Sequence, residues 1–210
     1  MEVKNNQKFP IHEPVMVDEM LQALDVEDKR SGTFIDATVS TGGHAEKICE
    51  RMSEDGLFIG LDKDGSVLQF TKRRLREFPP KVVLYNLNFS RIEEMLSTEG
   101  YGQADGILMD LGLSTAQLDN SERGFSFMRE GPLDMRMDKS IEKDASDLVN
   151  ALPQDELAEI ISKYGEERWA SRISSFIVES RKQGEILTTK DLKEIVEDAI
   201  PKKFQHRRKI

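Results

Sequence analysis

Residues 33–44 read Thr-Phe-Ile-Asp-Ala-Thr-Val-Ser-Thr-Gly-Gly-His, and the fold turns on how this stretch is read. An apolar run that ends in an acid and then meets two glycines predicts a buried strand, residues 33–39, turning sharply into a helix. A helical pattern follows over 43–52, with Ala45 and Ile48 on one side. Three more short apolar runs, 57–61, 82–87 and 106–111, predict further strands. The intervening stretches 65–78 and 91–99 carry helical spacing, and an amphipathic helix over 14–24 precedes the first strand. Repeated strand–helix–strand units of this length imply a parallel, doubly wound α/β sheet.

The second half has a different rhythm. Residues 112–138 are rich in Gly, Ser, Asp and Arg, interleaved with Phe125, Phe127, Leu133, Met135 and Met137. A stretch so long without a period is usually functional or disordered, and its aromatics and methionines argue against disorder. From Ala145 onward the pattern is helical: 146–152, then a segment opened by Pro153 with Leu157, Ile160, Ile161 and Tyr164 in phase, continued by Trp169, Ile173, Phe176 and Ile177, and a last helix over 189–199. The expected organisation is therefore an α/β core at 1–113, a loop region at 114–144 and an all-helical domain at 145–210. Nothing after Ala145 reads as a strand, so one apolar sheet edge is expected to lie uncovered, an aggregation liability.

With 210 residues, 38% hydrophobic and 33% charged, the composition is that of a globular protein. No apolar run approaches the ~20 residues of a bilayer span. The lone Cys49 excludes an intramolecular disulfide and a cysteine-based zinc cluster, and a cytoplasmic location is expected. No metal site is expected: His12, His44 and His206 have no partners at metal-ligand spacing. A formal charge of −9 argues against wrapping nucleic acid with the whole surface. Two local basic patches stand out, Lys72-Arg73-Arg74 with Arg76, and Lys202, Lys203, Arg207, Arg208 and Lys209. Each is either a nucleic-acid contact or a solvated face.

Three places carry chemistry. The Gly42-Gly43-His44 turn lets the backbone approach a ligand and offers helix N–H groups to an anionic end. Asp62 closes the second strand about 20 residues beyond the glycines, the spacing at which an acid meets ribose hydroxyls. Asp110 closes the fourth strand, in the crevice where open α/β sheets hold ligands. The pairing of glycine turn and Asp62 points to an adenosine-containing cofactor without choosing between NAD and S-adenosylmethionine, although the G-x-G-x-x-G fingerprint is absent. In the irregular segment, Phe125 and Phe127 are candidates to stack on an extruded base, and Arg123, Arg129 and Arg136 to meet phosphate. The alternative is a structural loop pinned by ion pairs such as Arg136 with Asp134 or Asp138.

Six stretches carry a resemblance: His12-Glu-Pro-Val-Met, Asp36-Ala-Thr with Gly42-Gly-His44, Leu61-Asp-Lys-Asp64, Met109-Asp-Leu-Gly-Leu-Ser-Thr-Ala-Gln-Leu-Asp119, the run from Glu122 through Asp138, and Tyr164-Gly-Glu-Glu-Arg168. From about His12 onward the chain resembles the bacterial 16S ribosomal RNA cytosine-N4 methyltransferases (the MraW family). The resemblance implies a Rossmann-like class I methyltransferase sheet interrupted by a helical domain, with S-adenosylmethionine as cofactor. The implied substrate is 16S ribosomal RNA in the small ribosomal subunit, methylated at N4 of a decoding-region cytidine. By position, Gly42, Gly43 and His44 would contact the methionine end, Asp62 the ribose and Phe89 the adenine. Asp110 and Gln117 would close the pocket near the transferring methyl, with Asp110 as the catalytic candidate. Arg123, Phe125, Phe127 and Arg136 would be the substrate-side candidates. No membrane partner is expected, and a homodimer is left open.

Two departures from the family stand out. It usually has glycine at the position of Ser40, and serine there strains the turn by roughly 1–3 kcal/mol unless its φ is negative. The family's stretch resembling 202–210 leads into further helices and strands, so the chain is expected to lack part of the sheet and to be inactive or poorly soluble alone. The competing readings are a nicotinamide-dependent oxidoreductase and a non-catalytic ribosome-binding protein.

Overall fold

The computed structural model describes residues 14–113 and 115–205. His12, His206, Arg207, Arg208 and Lys209 lie outside the described residues. The chain divides into two compact units, 1–116 and 117–210.

In the first unit, strands β1 (Thr33–Asp36), β2 (Leu57–Asp62), β3 (Lys81–Asn86) and β4 (Gly106–Leu108) form a parallel sheet in the order β3-β2-β1-β4. Helices α1 (Val17–Leu24), α2 (Gly43–Cys49), α3 (Gly65–Arg74) and α4 (Ile92–Glu99) cover it. Strand alternation sorts the apolar side chains onto two faces. Phe34 and Phe58 join Met20, Val26, Ile48 and Leu75 on one, whereas Ile35 and Ile59 join Leu61, Ile92 and Met95 on the other. Phe34, Ile35, Phe58, Ile59 and Leu61 are all fully buried, and each contributes about 1.5–3 kcal/mol by leaving water. Burial on both faces explains why these strands read as continuous apolar runs rather than alternating ones.

β4 is shorter than its sequence pattern predicts and pairs only with β1 among the described residues. Beyond Leu108 the chain leaves the ladder, and Ile107, Met109, Leu111 and Leu113 remain more than 40% exposed, which gives the uncovered apolar edge expected above. No described helix is long and apolar enough to cross a membrane.

After the short helix α5 (Thr115–Asp119), the second unit packs α6 (Ala145–Ala151), α7 (Gln154–Gly165), α8 (Ala170–Ser180) and α9 (Thr189–Ala199) around Leu133, Val149, Leu157, Ile173, Ile177, Ile186 and Ile200. Reciprocal caps start two of these helices, Asp144 with Asp147 and Thr188 with Asp191, each worth about 1 kcal/mol. From Gln117 on, the irregular segment belongs to this unit: the Leu133 N–H donates to the Leu187 carbonyl at 2.9 Å, and the Thr189 N–H to the Gly131 carbonyl at 2.9 Å. Of the predicted α7 face, Leu157 is buried whereas Tyr164 is 75% exposed.

Candidate functional site

In an order of β3-β2-β1-β4, connection direction reverses between β1 and β4, and the carboxyl tips there frame the crevice that open α/β sheets use for ligands. Asp36, Asp62 and Asp110 stand at or just beyond three adjacent tips, with the glycine turn entering α2 among them.

The turn is held from two sides. Gly42 has φ +80°, a left-handed conformation, and a β carbon on it would sit 3.0 Å from Thr71 Cγ2. Ser40 is also left-handed, at φ +44°, so it bears a strain that glycine at this position would avoid. Its N–H donates to Asp62 Oδ2 at 2.9 Å, and its carbonyl accepts from the Thr71 hydroxyl. Arg74 donates to the Thr41 carbonyl at 3.0 Å and forms an ion pair with Glu46. This corrects the reading of Lys72–Arg76 as one basic patch: the Arg74 guanidinium is engaged with the turn and α2.

Asp62 is 9% exposed. Its other oxygen, Oδ1, accepts from the Asp64 N–H at 2.7 Å, which fixes the carboxylate plane. Asp64 caps α3 by accepting from the Ser66 N–H at 3.0 Å. Phe89 follows β3, with Lys63 Nζ 5.4 Å from its ring centroid, and shares an open apolar groove with Ile92, Leu96, Ile107 and Met109.

His44 Nε2 lies 2.8 Å from the Val15 carbonyl. A carbonyl only accepts, so Nε2 carries the proton, and Nδ1 is left facing Asp110 Oδ2 at 3.9 Å. The Asp110 side chain is 46% exposed. Asp36 is the opposite case: it is 2% exposed, and burial pushes its carboxyl up to about 7 despite the Thr38 N–H bond. Its hydrogen bonds do not compensate its loss of water.

Gln117, 6% exposed, opens the second unit. In the same unit, Arg123 is buried and donates to the Arg136 and Met137 carbonyls at 2.8 and 3.1 Å. Arg136 forks onto both Asp134 oxygens at 2.8 Å, the stronger bidentate arrangement, and holds Asp134 down at about 2. Two of the three guanidiniums expected at phosphate are thus taken up in shaping the loop, and the third, Arg129, donates to the Asp119 carbonyl at 2.6 Å. The Phe125 ring lies 5.6 Å from the Arg123 guanidinium, and Phe127 is 66% exposed. No metal-ligating cluster occurs among the described residues.

Sequence reasoning did not single out Thr38, Thr71 or Val15. Their signal is three-dimensional, since each acts through one hydrogen bond to a partner distant in sequence or through its backbone. Together, the sheet order, the glycine turn and the acids at the tips define a Rossmann-like fold of the class I methyltransferase type. A model of the MraW methylase family matches residues 10–210. The chain belongs to that family.

Three proteins named ribosomal RNA small subunit methyltransferase H illustrate the similarity. The one from Symbiobacterium thermophilum is 47% identical over 190 residues, 90% of this chain and 59% of that protein. Those from Geobacter sp. (strain M21) and Clostridioides difficile (strain 630) are 46% and 43% identical, each over 91% of this chain and 61% of their own length. The chain therefore spans about three fifths of the length of the relatives it matches.

Proposed function

We propose that this chain carries the methyl-donor crevice of an S-adenosylmethionine-dependent methyltransferase. Its acceptor is the N4 amino group of a decoding-region cytidine in 16S ribosomal RNA, presented on the small subunit. The observation that carries the reading is the charge of the crevice. The Asp62 carboxylate accepts from the Ser40 N–H of the turn, the Asp110 carboxylate lies 3.9 Å from His44, and Arg74, the arginine that reaches the turn, is paired with Glu46. A pyrophosphate would meet repulsion there, whereas a cofactor with a sulfonium and an ammonium group is matched in sign.

The residues suit such a cofactor. Backbone N–H groups at Gly43 and His44 face a carboxylate terminus, the Asp62 carboxylate at the tip of β2 is placed to meet ribose hydroxyls, and the Phe89 ring and its groove offer an apolar wall to adenine. Gln117, in the second unit, is a further cofactor-side candidate by its place in the family motif. When bound, the cofactor supplies an electrophilic methyl carbon on sulfur.

A cytosine amino group is a weak nucleophile because its lone pair is delocalised into the ring. Asp110, accepting an N–H hydrogen bond, favours localisation of that lone pair and orients the nitrogen. Half-exposed, it can take the amine proton or pass it to water. Phe127, outward-facing on the second unit, remains the candidate to stack on a base. Arg123 and Arg136 serve the RNA indirectly, by shaping the loop that presents it.

Calorimetric titration with S-adenosylhomocysteine and with NAD tests the reading. The homocysteine compound should bind and NAD should not, and Asp62→Ala should weaken binding 10- to 100-fold, the equivalent of about 1.5–3 kcal/mol for hydrogen bonds to a charged group. Equal binding of NAD, or an unaffected Asp62→Ala protein, would overturn it.

A further inference from the structure

The β1–β4 ladder ends in an unusual way. Its register runs Phe34 with Gly106, Ile35 with Ile107 and Asp36 with Leu108, and its last backbone bond is from the Ala37 N–H to the Leu108 carbonyl at 2.9 Å. Continuing that register would set Thr38 level with Asp110. By then β1 has left β4 for its other neighbour, because the Val39 N–H donates to the Leu61 carbonyl at 2.9 Å. The two chains part where the crevice opens, and no backbone acceptor from β1 serves the Asp110 N–H.

A side chain makes the next rung instead. The Asp110 N–H donates to Thr38 Oγ1 at 2.8 Å. Thr38 is itself oriented by Asp36, whose Oδ1 accepts the Thr38 N–H at 3.0 Å and lies 3.4 Å from the hydroxyl. The Asp110 carboxylate itself lies 3.9 Å from His44 Nδ1, too long for a hydrogen bond. The hydroxyl is therefore what fixes where the Asp110 side chain starts.

We infer that Thr38 is the positioning residue for Asp110, bridging the mouth of the switch point with its hydroxyl while buried Asp36 holds it in place. The inference rests on the reading of the strand tips as a methyl-donor crevice. Its physical basis is that a parallel ladder must break for a crevice to open, and the residue beyond the break would otherwise wander. A hydroxyl one bond from Cβ extends the acceptor across the gap, which neither the backbone nor an apolar side chain of the same shape can do.

The variants Thr38→Val and Thr38→Ser separate this role from simple packing. Two readouts apply: affinity for S-adenosylhomocysteine by calorimetry, and hydrogen exchange of the Asp110 amide by NMR in the ligand-free protein. Valine should weaken affinity about five-fold, the equivalent of one hydrogen bond, and speed exchange of the Asp110 amide at least about ten-fold. Serine should keep both within about two-fold. In an Asp110→Ala background, valine should add less than about two-fold to the loss of affinity, because the residue it positions is gone. Unchanged Asp110 exchange in the valine variant would overturn the proposal, as would a five-fold loss of affinity that persists without the Asp110 carboxylate. A wild-type chain that binds no homocysteine compound refutes the crevice reading and the part Thr38 plays in ligand binding with it, while the amide exchange separately decides whether the hydroxyl anchors Asp110.

Discussion

Replacing Ser40 by glycine should stabilise the first unit. At φ +44°, serine bears about 1–2 kcal/mol of left-handed strain that glycine does not. Glycine loses more chain entropy on folding, about 0.4–1 kcal/mol. The native turn uses only the Ser40 backbone, through Asp62 and Thr71, and no described hydrogen bond involves its hydroxyl, so nothing else is forfeited. The balance is a gain of about 0.5–1 kcal/mol. In urea denaturation this appears as a midpoint raised by about 0.3–0.7 M at unchanged slope. Ser40→Val, which places a β-branched side chain in the same conformation, should shift the midpoint the other way by a similar or larger amount. If glycine is neutral or harmful while valine is tolerated, the turn is not left-handed at Ser40 and the geometry assigned to the crevice is wrong.

Gly124→Ala should cost the helical unit more than about 3 kcal/mol: a β carbon would lie 2.3 Å from the Pro132 carbonyl oxygen, at φ +70°. A melting scan that finds it as stable as the parent would refute the loop's path. Asp36 holds its proton up to about 7 in the folded protein, against 3.8 ordinarily. The stability it confers is therefore complete below about 4 and lost as pH rises through about 7. Asp36→Asn should abolish that slope and gain on the parent by roughly 2–4 kcal/mol at pH 8 relative to pH 4, as followed by denaturation at several pH values. Asp134, held down at about 2 by the hydrogen bonds from Arg136, behaves oppositely: its contribution is present above about 4 and lost as pH falls towards 2. Asp134→Asn should thus melt lower than the parent at pH 7, the gap closing by pH 2.

The sheet was legible because β1 and β2, buried on both faces, leave largely apolar runs within 33–39 and 57–61, the half-buried edge strand β3 leaves another within 82–87, and the glycine pair marks where the first one turns. The end of β4 was not. Residues 106–111 are apolar or acidic throughout, and what stops the strand at Leu108 is the departure of β1 toward Leu61, a tertiary event. Asp62 and Asp110 were visible as acids ending apolar runs, whereas the anchoring role of Thr38 depends on a partner 72 residues away. Arg74 read as one of a basic cluster because local charge gives no sign of Glu46, 28 residues earlier. For Arg123 and Arg136 the sequence allowed either phosphate or internal partners, and only the positions of the Arg136, Met137 and Asp134 oxygens decide.

The most direct test is an amide-resolved NMR titration of this chain with S-adenosylhomocysteine. The account predicts saturable shifts concentrated at Gly42, Gly43, His44, Asp62, Phe89 and Asp110. Saturation with shifts clustered away from those strand tips, or no saturable shift at millimolar ligand, would contradict it.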